Sequence, residues 1–228
     1  LKRSRKPIRK ALHPSVSHRH SLLMVVFVMA FAMSVFPSRF AVSADFEDTA
    51  KRFVETLSSD AINSLTAKGL PKEDRIERFR EMFNRNFSVK GIGKWVLGRH
   101  WRKASKAERN EYLVLFESLM VLSYVDRFAK YAGETLHVTK TLKQDDNNAM
   151  VFSEIRRPQG MPPIRVDWRV ARKGETYKIV DVLVEGTSMS NTLRSDFGSI
   201  IRQRGGKVSG LLETLREKTK HLESGSQK

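Results

Sequence analysis

Cysteine is absent from all 228 residues, so a disulfide framework, a thiolate metal site and a cysteine nucleophile are excluded. Proline is scarce, and none falls between residues 72 and 157, which leaves room for long uninterrupted elements. Acidic residues are missing from the first 44 positions, which hold eight Lys/Arg; the formal charge of +17 therefore falls to +9 over residues 45–228. Histidine is sparse after that point. His100, His137 and His221 stand alone, and none is spaced with a carboxylate or a second histidine as metal ligands are. No internal repeat is present.

Long hydrophobic runs are also lacking, with one exception. Ser21 to Phe36, SLLMVVFVMAFAMSVF, is almost wholly apolar. It follows a basic stretch and precedes Pro37 and the small-residue step Val42-Ser43-Ala44. This is the three-part plan of a secretory signal, with a cut expected after Ala44. The run is shorter than the ~20 residues a spanning helix wants; an uncleaved anchor is the competing reading. The expected organisation is a signal peptide at 1–44, a domain at 45–216 and a polar tail at 217–228 that frays.

The domain opens with helical spacing. Phe46, Ala50, Phe53, Val54, Leu57, Ala61 and Leu65 recur every three or four residues up to Lys68-Gly69. Pro71 suits the first turn of a second helix, striped by Ile76, Phe79, Phe83 and Phe87. A glycine-loosened piece follows, with Trp95 and Trp101. Ser105-Lys-Ala-Glu108 is a capping box that opens the helix expected to be the longest, about 105–132.

From Glu134 the period becomes two. Four strands are expected: one around Leu136, Val138 and Leu142, then Ala149–Arg156, then Ile164–Ala171, then Tyr177–Glu185. Asp145-Asp146-Asn147-Asn148, Pro158-Gln-Gly160 and Lys173-Gly174-Glu175 supply the turns. The last strand is apolar on both faces, as a covered strand is. Gly186 ends it, and Thr187 and Ser188 offer hydroxyls to cap the next helix, striped by Met189, Leu193, Phe197 and Ile200/Ile201 and closed by Gly205-Gly206. The order helices, meander, helices defines an α+β class: helices packed on a curved four-stranded antiparallel meander, with an apolar cavity beneath it.

Catalytic motifs fail their context. Gly186-Thr-Ser188-Met-Ser190 has the strand-to-helix setting of a nucleophile elbow, but lacks its final glycine and a parallel sheet. Gly91-Ile-Gly93 has Val96 where a dinucleotide fingerprint needs glycine, and no strand precedes it. Asp167 and Asp181 are strand acids of the kind that serve as a proton-transfer base beside an apolar cavity, yet Arg165, Arg169 and Lys178 are close enough in sequence for ion pairing. No run of aromatics interleaves with the basic residues as nucleic-acid binding would want. The basic surplus fits a solvated surface, or attraction to anionic lipid headgroups or membrane-embedded partners.

Several segments carry a family resemblance: Phe79-Arg-Glu-Met-Phe83, Val96-Leu-Gly-Arg-His-Trp101, Tyr112-Leu-Val-Leu-Phe116, Val166-Asp-Trp168, and above all Ile179-Val-Asp-Val-Leu-Val-Glu-Gly186-Thr-Ser-Met189 with Arg194, Phe197, Ile200 and Gly205-Gly206. Over roughly 46–216 the chain resembles the MlaC family, also called toluene-tolerance auxiliary component. Thr187 and Arg204 depart from the residues the family often has there. The resemblance implies an NTF2-like fold and a periplasmic phospholipid-binding protein, the soluble shuttle that carries lipid between outer and inner membranes to maintain outer-membrane lipid asymmetry. It implies no enzyme activity and no cofactor. The implied partners are a phospholipid ligand, an inner-membrane ABC transporter complex and an outer-membrane lipoprotein complex, with the shuttle itself a monomer. A hopanoid-associated carrier and an NTF2-like enzyme using Asp167 or Asp181 on an apolar small molecule are the alternatives.

Alternation and stripe position assign the lipid-binding lining to Phe116, Met120, Tyr124, Phe128, Val151, Ile155, Ile164, Val166, Trp168, Val182, Val184, Phe197 and Ile201. A charged residue at Val166 or Val184 is expected to abolish lipid retention, and Arg165→Ala to leave it intact.

Overall fold

The expected change of period from helix to strand near residue 134 is where the architecture divides. The computed structural model describes residues 39–225. Five helices precede that point: α1 (Arg39–Leu65), α2 (Lys72–Asn86), α3 (Val89–Leu97), α4 (Arg99–Lys103) and α5 (Lys106–Ala129). The strands β1 (Thr135–Lys143), β2 (Asn148–Arg156), β3 (Ile164–Lys173), β4 (Thr176–Val184) and β5 (Thr187–Ser188) follow, and α6 (Met189–Gln203) and α7 (Val208–Glu223) complete the chain. Among the described residues no helix is long and apolar enough to cross a membrane. The basic and apolar regions of the expected signal lie outside the described residues. α1 runs through the expected cut, and its buried residues Phe46, Ala50, Val54 and Leu57 all lie beyond Ala44.

The sheet is an antiparallel meander in chain order, open and not closed into a barrel. It has five strands where four were expected. The difference lies at Glu185-Gly186, whose φ values of 48° and 77° are both positive. Such a pair makes a tight hairpin, and it returns Thr187-Ser188 onto Leu183-Val184 before the helix begins. Glu185 is held there from both sides: its N–H donates to the Arg165 carbonyl at 3.0 Å, and its Oε1 accepts the Arg165 N–H at 2.7 Å. Bulges fall between Val138 and Lys140 and between Arg169 and Val170, where an extra residue bends the strand.

The capping box at α5 is present. The Glu108 N–H donates to Ser105 Oγ at 3.1 Å, and the Ser105 N–H donates to Glu108 Oε2 at 2.8 Å. α5 is 24 residues, three fewer than α1, so it is not the longest helix. The tail expected to fray is instead helical to Glu223: Thr219 is buried and Leu222 packs on the helical core, an apolar stripe that polar neighbours hid. Midway along α7, Arg216 pairs with Glu111 of α5 at 2.6 Å.

Two buried clusters form. One is helical and draws on α2 to α7, with Tyr112, Phe116, Phe197, Leu211 and Leu215 among its closed centre. The other joins α1 to the sheet: Phe46, Ala50, Val54 and Leu57 lie on Ala149, Val151, Val170 and Ile179. They share no fully buried residue.

Candidate functional site

The pairing register decides which strand residues share a face. Val151 stands opposite Trp168, and Trp168 opposite Val182; Ser153 stands opposite Val166, and Val166 opposite Val184; Ile155 faces Ile164. All seven apolar strand positions assigned to the lining therefore project from one face, the face on which α1 lies. A slip of one residue would have turned them all outward. α1 covers the end of this face around Ala149, Val170 and Ile179. Beyond it Trp168 and Val182 are half-buried, as are Ile155, Ile164 and Val184, while Val166 is buried.

One hydroxyl orders the centre of this face. Ser153 Oγ donates to the Val166 carbonyl and accepts the Trp168 indole N–H at 3.0 Å. The indole is thereby fixed with its polar atom satisfied and its ring left as apolar surface. Thr141, opposite Val151 on the same face, has a buried hydroxyl without a partner.

The helical residues assigned to the lining divide. Phe116, Met120, Phe197 and Ile201 are buried in the helical cluster, and Tyr124 packs on its margin. Phe116 and Phe197 meet edge to face at 6.5 Å between centroids and belong to a filled centre. Phe128 is half-buried, with its ring 5.4 Å from Phe79.

The residues that bring the two clusters together were not assigned to the site from sequence. Phe79, Phe83 and Phe87 form a ladder along one side of α2, with centroids 6.2 Å and 4.8 Å apart. Phe87 packs against both clusters, and Met82 against the sheet cluster. This end of α2 is pinned to β4: the Ser88 N–H donates to the Ile179 carbonyl at 2.9 Å, and Lys178 Nζ donates to the carbonyls of Asn84 and Arg85. The four-residue phenylalanine spacing was legible as a stripe; that it stands at a seam between clusters needed the tertiary structure.

The acids weighed for catalysis lie on the other face of the sheet. Asp167 alternates with Val166 and Trp168, and Asp181 with Val182. Asp167 is buried and pairs with Arg165 at 2.6 Å. Asp181 Oδ1 accepts the N–H groups of Val182 and Ser190, and its Oδ2 accepts the Ser188 hydroxyl at 2.6 Å. Ser188 Oγ also accepts the Asn191 N–H and caps α6. Serine and aspartate here build a strand-to-helix junction, and among the described residues the partners of the Ser188 hydroxyl are Asp181, Ser190 and Asn191. Among the described residues no group of histidine and carboxylate side chains is placed to hold a metal.

Two shallow clefts, about 390 and 480 Å³, lie instead over α3, α4 and α6. The first has Phe197 and Ile201 in its lining, and both are edged by arginines.

An open antiparallel meander with an apolar face under a long helix, joined by an aromatic seam to a helical layer, defines an α+β protein in which, among the described residues, no catalytic group is assembled on that face. The model of the family described as MlaC protein matches residues 51–217. The chain belongs to the MlaC family. It is 25% identical over 116 residues to the intermembrane phospholipid transport system binding protein MlaC of Haemophilus influenzae, a match covering 50% of this chain and 54% of that protein. The match thus spans about half the length of that curated relative. The fold is similar to that of a phospholipid-binding protein from Ralstonia solanacearum solved in complex with a phospholipid: the TM-score is 0.66 at 22% identity, covering 76% of this chain and 98% of that one.

Proposed function

We propose that the protein is a periplasmic phospholipid carrier whose acyl-chain site is the seam between the sheet face of Trp168 and the helical layer. Membership in the MlaC family, across residues that include both layers, is the observation that carries this reading. The Haemophilus relative is named as a phospholipid transport binding protein, and the Ralstonia structure holds a phospholipid. Tails lying along Trp168, Val182 and Val184, over the buried Val166, and reaching toward Phe87 and Phe128 would occupy half-buried surface. Phe116 and Phe197 would support that surface from behind.

The energetics favour a carrier. A diacyl lipid has roughly 30 methylenes, each contributing about 0.8 kcal/mol on leaving water. The gross gain is on the order of 25 kcal/mol, so the lipid does not escape into water. A bilayer offers nearly the same gain, so exchange between membrane and protein is close to neutral. Direction then comes from partners, for which an inner-membrane ABC transporter complex and an outer-membrane lipoprotein complex are proposed. Chemistry on an apolar small molecule is not favoured, because Asp167 and Asp181 face away from the seam and are committed to other partners.

The test is organic extraction of protein purified without detergent, followed by phosphorus and fatty-acid analysis. Diacyl phospholipid near one per chain is the expected result. An extract free of lipid, or one holding only a polycyclic lipid, would displace the phospholipid reading.

A further inference from the structure

The two segments that build α3, α4 and α6 carry the protein's charge asymmetry. Residues 88–109 hold seven Lys/Arg and one acid, and residues 191–207 hold four Lys/Arg and one acid. Their joint surplus of +9 equals the whole surplus of residues 45–228, so the remainder of the domain is neutral in sum. Of the two acids, Glu108 is occupied by its capping box, where its carboxylate accepts the Ser105 N–H.

The fold gathers five of these eleven cations around two neighbouring clefts. Lys94, Arg99, Arg102, Arg194 and Arg202 edge the two clefts, and neither cleft has a carboxylate in its lining. Among the described residues none of these five is in an ion pair. Gly98, between α3 and α4, has φ 55° and ψ −128°, the mirror of extended backbone that only glycine adopts readily. A Cβ there would stand 2.9 Å from the Arg194 guanidinium, so the arginine lies directly on the glycine. Arg194 also donates to the Trp95 carbonyl at 3.1 Å and sits 4.7 Å from the centre of its ring. Trp95 remains 55% exposed, although its indole N–H is directed to Asn191 at 3.3 Å. His100 reports the local potential: partial burial, then Arg99, Lys103 and Arg202, hold its pKa below the usual value.

We infer that this α3–α4–α6 surface docks on an anionic lipid bilayer. A shallow spread of unpaired cations suits a plane of headgroups, each Lys/Arg contributing independently. An exposed tryptophan with a satisfied N–H and a free ring edge suits the boundary between headgroups and tails. The surface is separate from the proposed acyl-chain seam, and docking goes beyond lipid carriage without depending on it.

The experiment is flotation of the protein, recovered from a periplasmic extract, with vesicles of phosphatidylethanolamine with and without phosphatidylglycerol. The expected result is partition only with phosphatidylglycerol, weakening with salt. Lys94→Gln with Arg102→Gln should lower that partition by roughly thirtyfold, about fivefold per charge. Trp95→Ala should lower it with the charges intact, while Lys140→Gln with Lys173→Gln, on the strands, removes as much charge and should leave it near wild type. Equal partition of all variants would overturn the assignment. So would absent vesicle binding alongside salt-sensitive binding to polyglutamate that the Lys94/Arg102 pair abolishes, which would give the surface to an acidic protein. Lipid content of the same preparations reads carriage separately: loaded protein that ignores vesicles overturns docking alone.

Discussion

The indole N–H of Trp168 donates to Ser153 Oγ across 3.0 Å, and that hydroxyl in turn donates to the carbonyl of Val166. Two neighbouring strands are thus tied by one side chain in the middle of the face proposed to hold lipid. The arrangement leaves no polar atom of either residue seeking water, so the ring presents hydrocarbon alone.

Ser153→Ala leaves the part-buried indole N–H without its acceptor, which should cost about 1 kcal/mol. Trp168→Phe in that background removes the orphaned donor. The double variant is expected to lie closer to Trp168→Phe alone than additivity would place it, in urea titrations of all three variants.

Val184→Glu and Val166→Glu each place a carboxylate on the proposed acyl-chain face. Loss of co-purifying phospholipid is expected from both, with Val184→Glu the better folded because Val184 is only half-buried. Lys173→Ala, exposed at the end of β3, should retain lipid as wild type does. Lipid phosphorus measured alongside thermal melting separates loss of binding from loss of fold.

Arg165→Ala is not the neutral control that its exposed position on an alternating strand led one to expect. Arg165 is the partner of Asp167, a carboxylate only 1% exposed. Removing it should lower the urea midpoint, and Asp167→Asn in the same background should restore part of the loss. A midpoint unmoved by Arg165→Ala would show that the pair contributes nothing.

His100 titrates below its ordinary value of 6.5 because burial and the cations Arg99, Lys103 and Arg202 disfavour the imidazolium. The unfolded chain therefore binds this proton at higher pH than the folded one. Its contribution to stability is complete above 6.5 and is lost as pH falls through the folded pKa. His100→Gln should flatten the dependence of the urea midpoint on pH below 6.5. An imidazole midpoint at or above 6.5 by NMR would contradict the assigned cause.

Much of the fold was legible because local and tertiary demands agree. Ser105 and Glu108 announced a helix start and make one, and alternation from Ile164 to Val170 put Val166 and Trp168 on one face, as the register does. Glu185 was not legible: a glutamate at positive φ is uncommon, and its two bonds to the Arg165 backbone and the strand pairing on either side hold it there. Nor was the division of the lining. Phe116 and Trp168 obey the same rule of hydrophobic period, yet one is buried in a closed aromatic centre and the other borders a half-buried face. Periodicity states that a residue points inward, not what it meets there.

Native mass spectrometry of the protein, purified without detergent from a periplasmic extract, tests the central claim most directly. A chain carrying added mass in steps that match the diacyl phospholipids of the cell, and losing it in Val184→Glu, is the predicted result. A clean apo mass for a folded chain, unchanged on mixing with phospholipid vesicles, would show that the seam is closed core and would contradict the account.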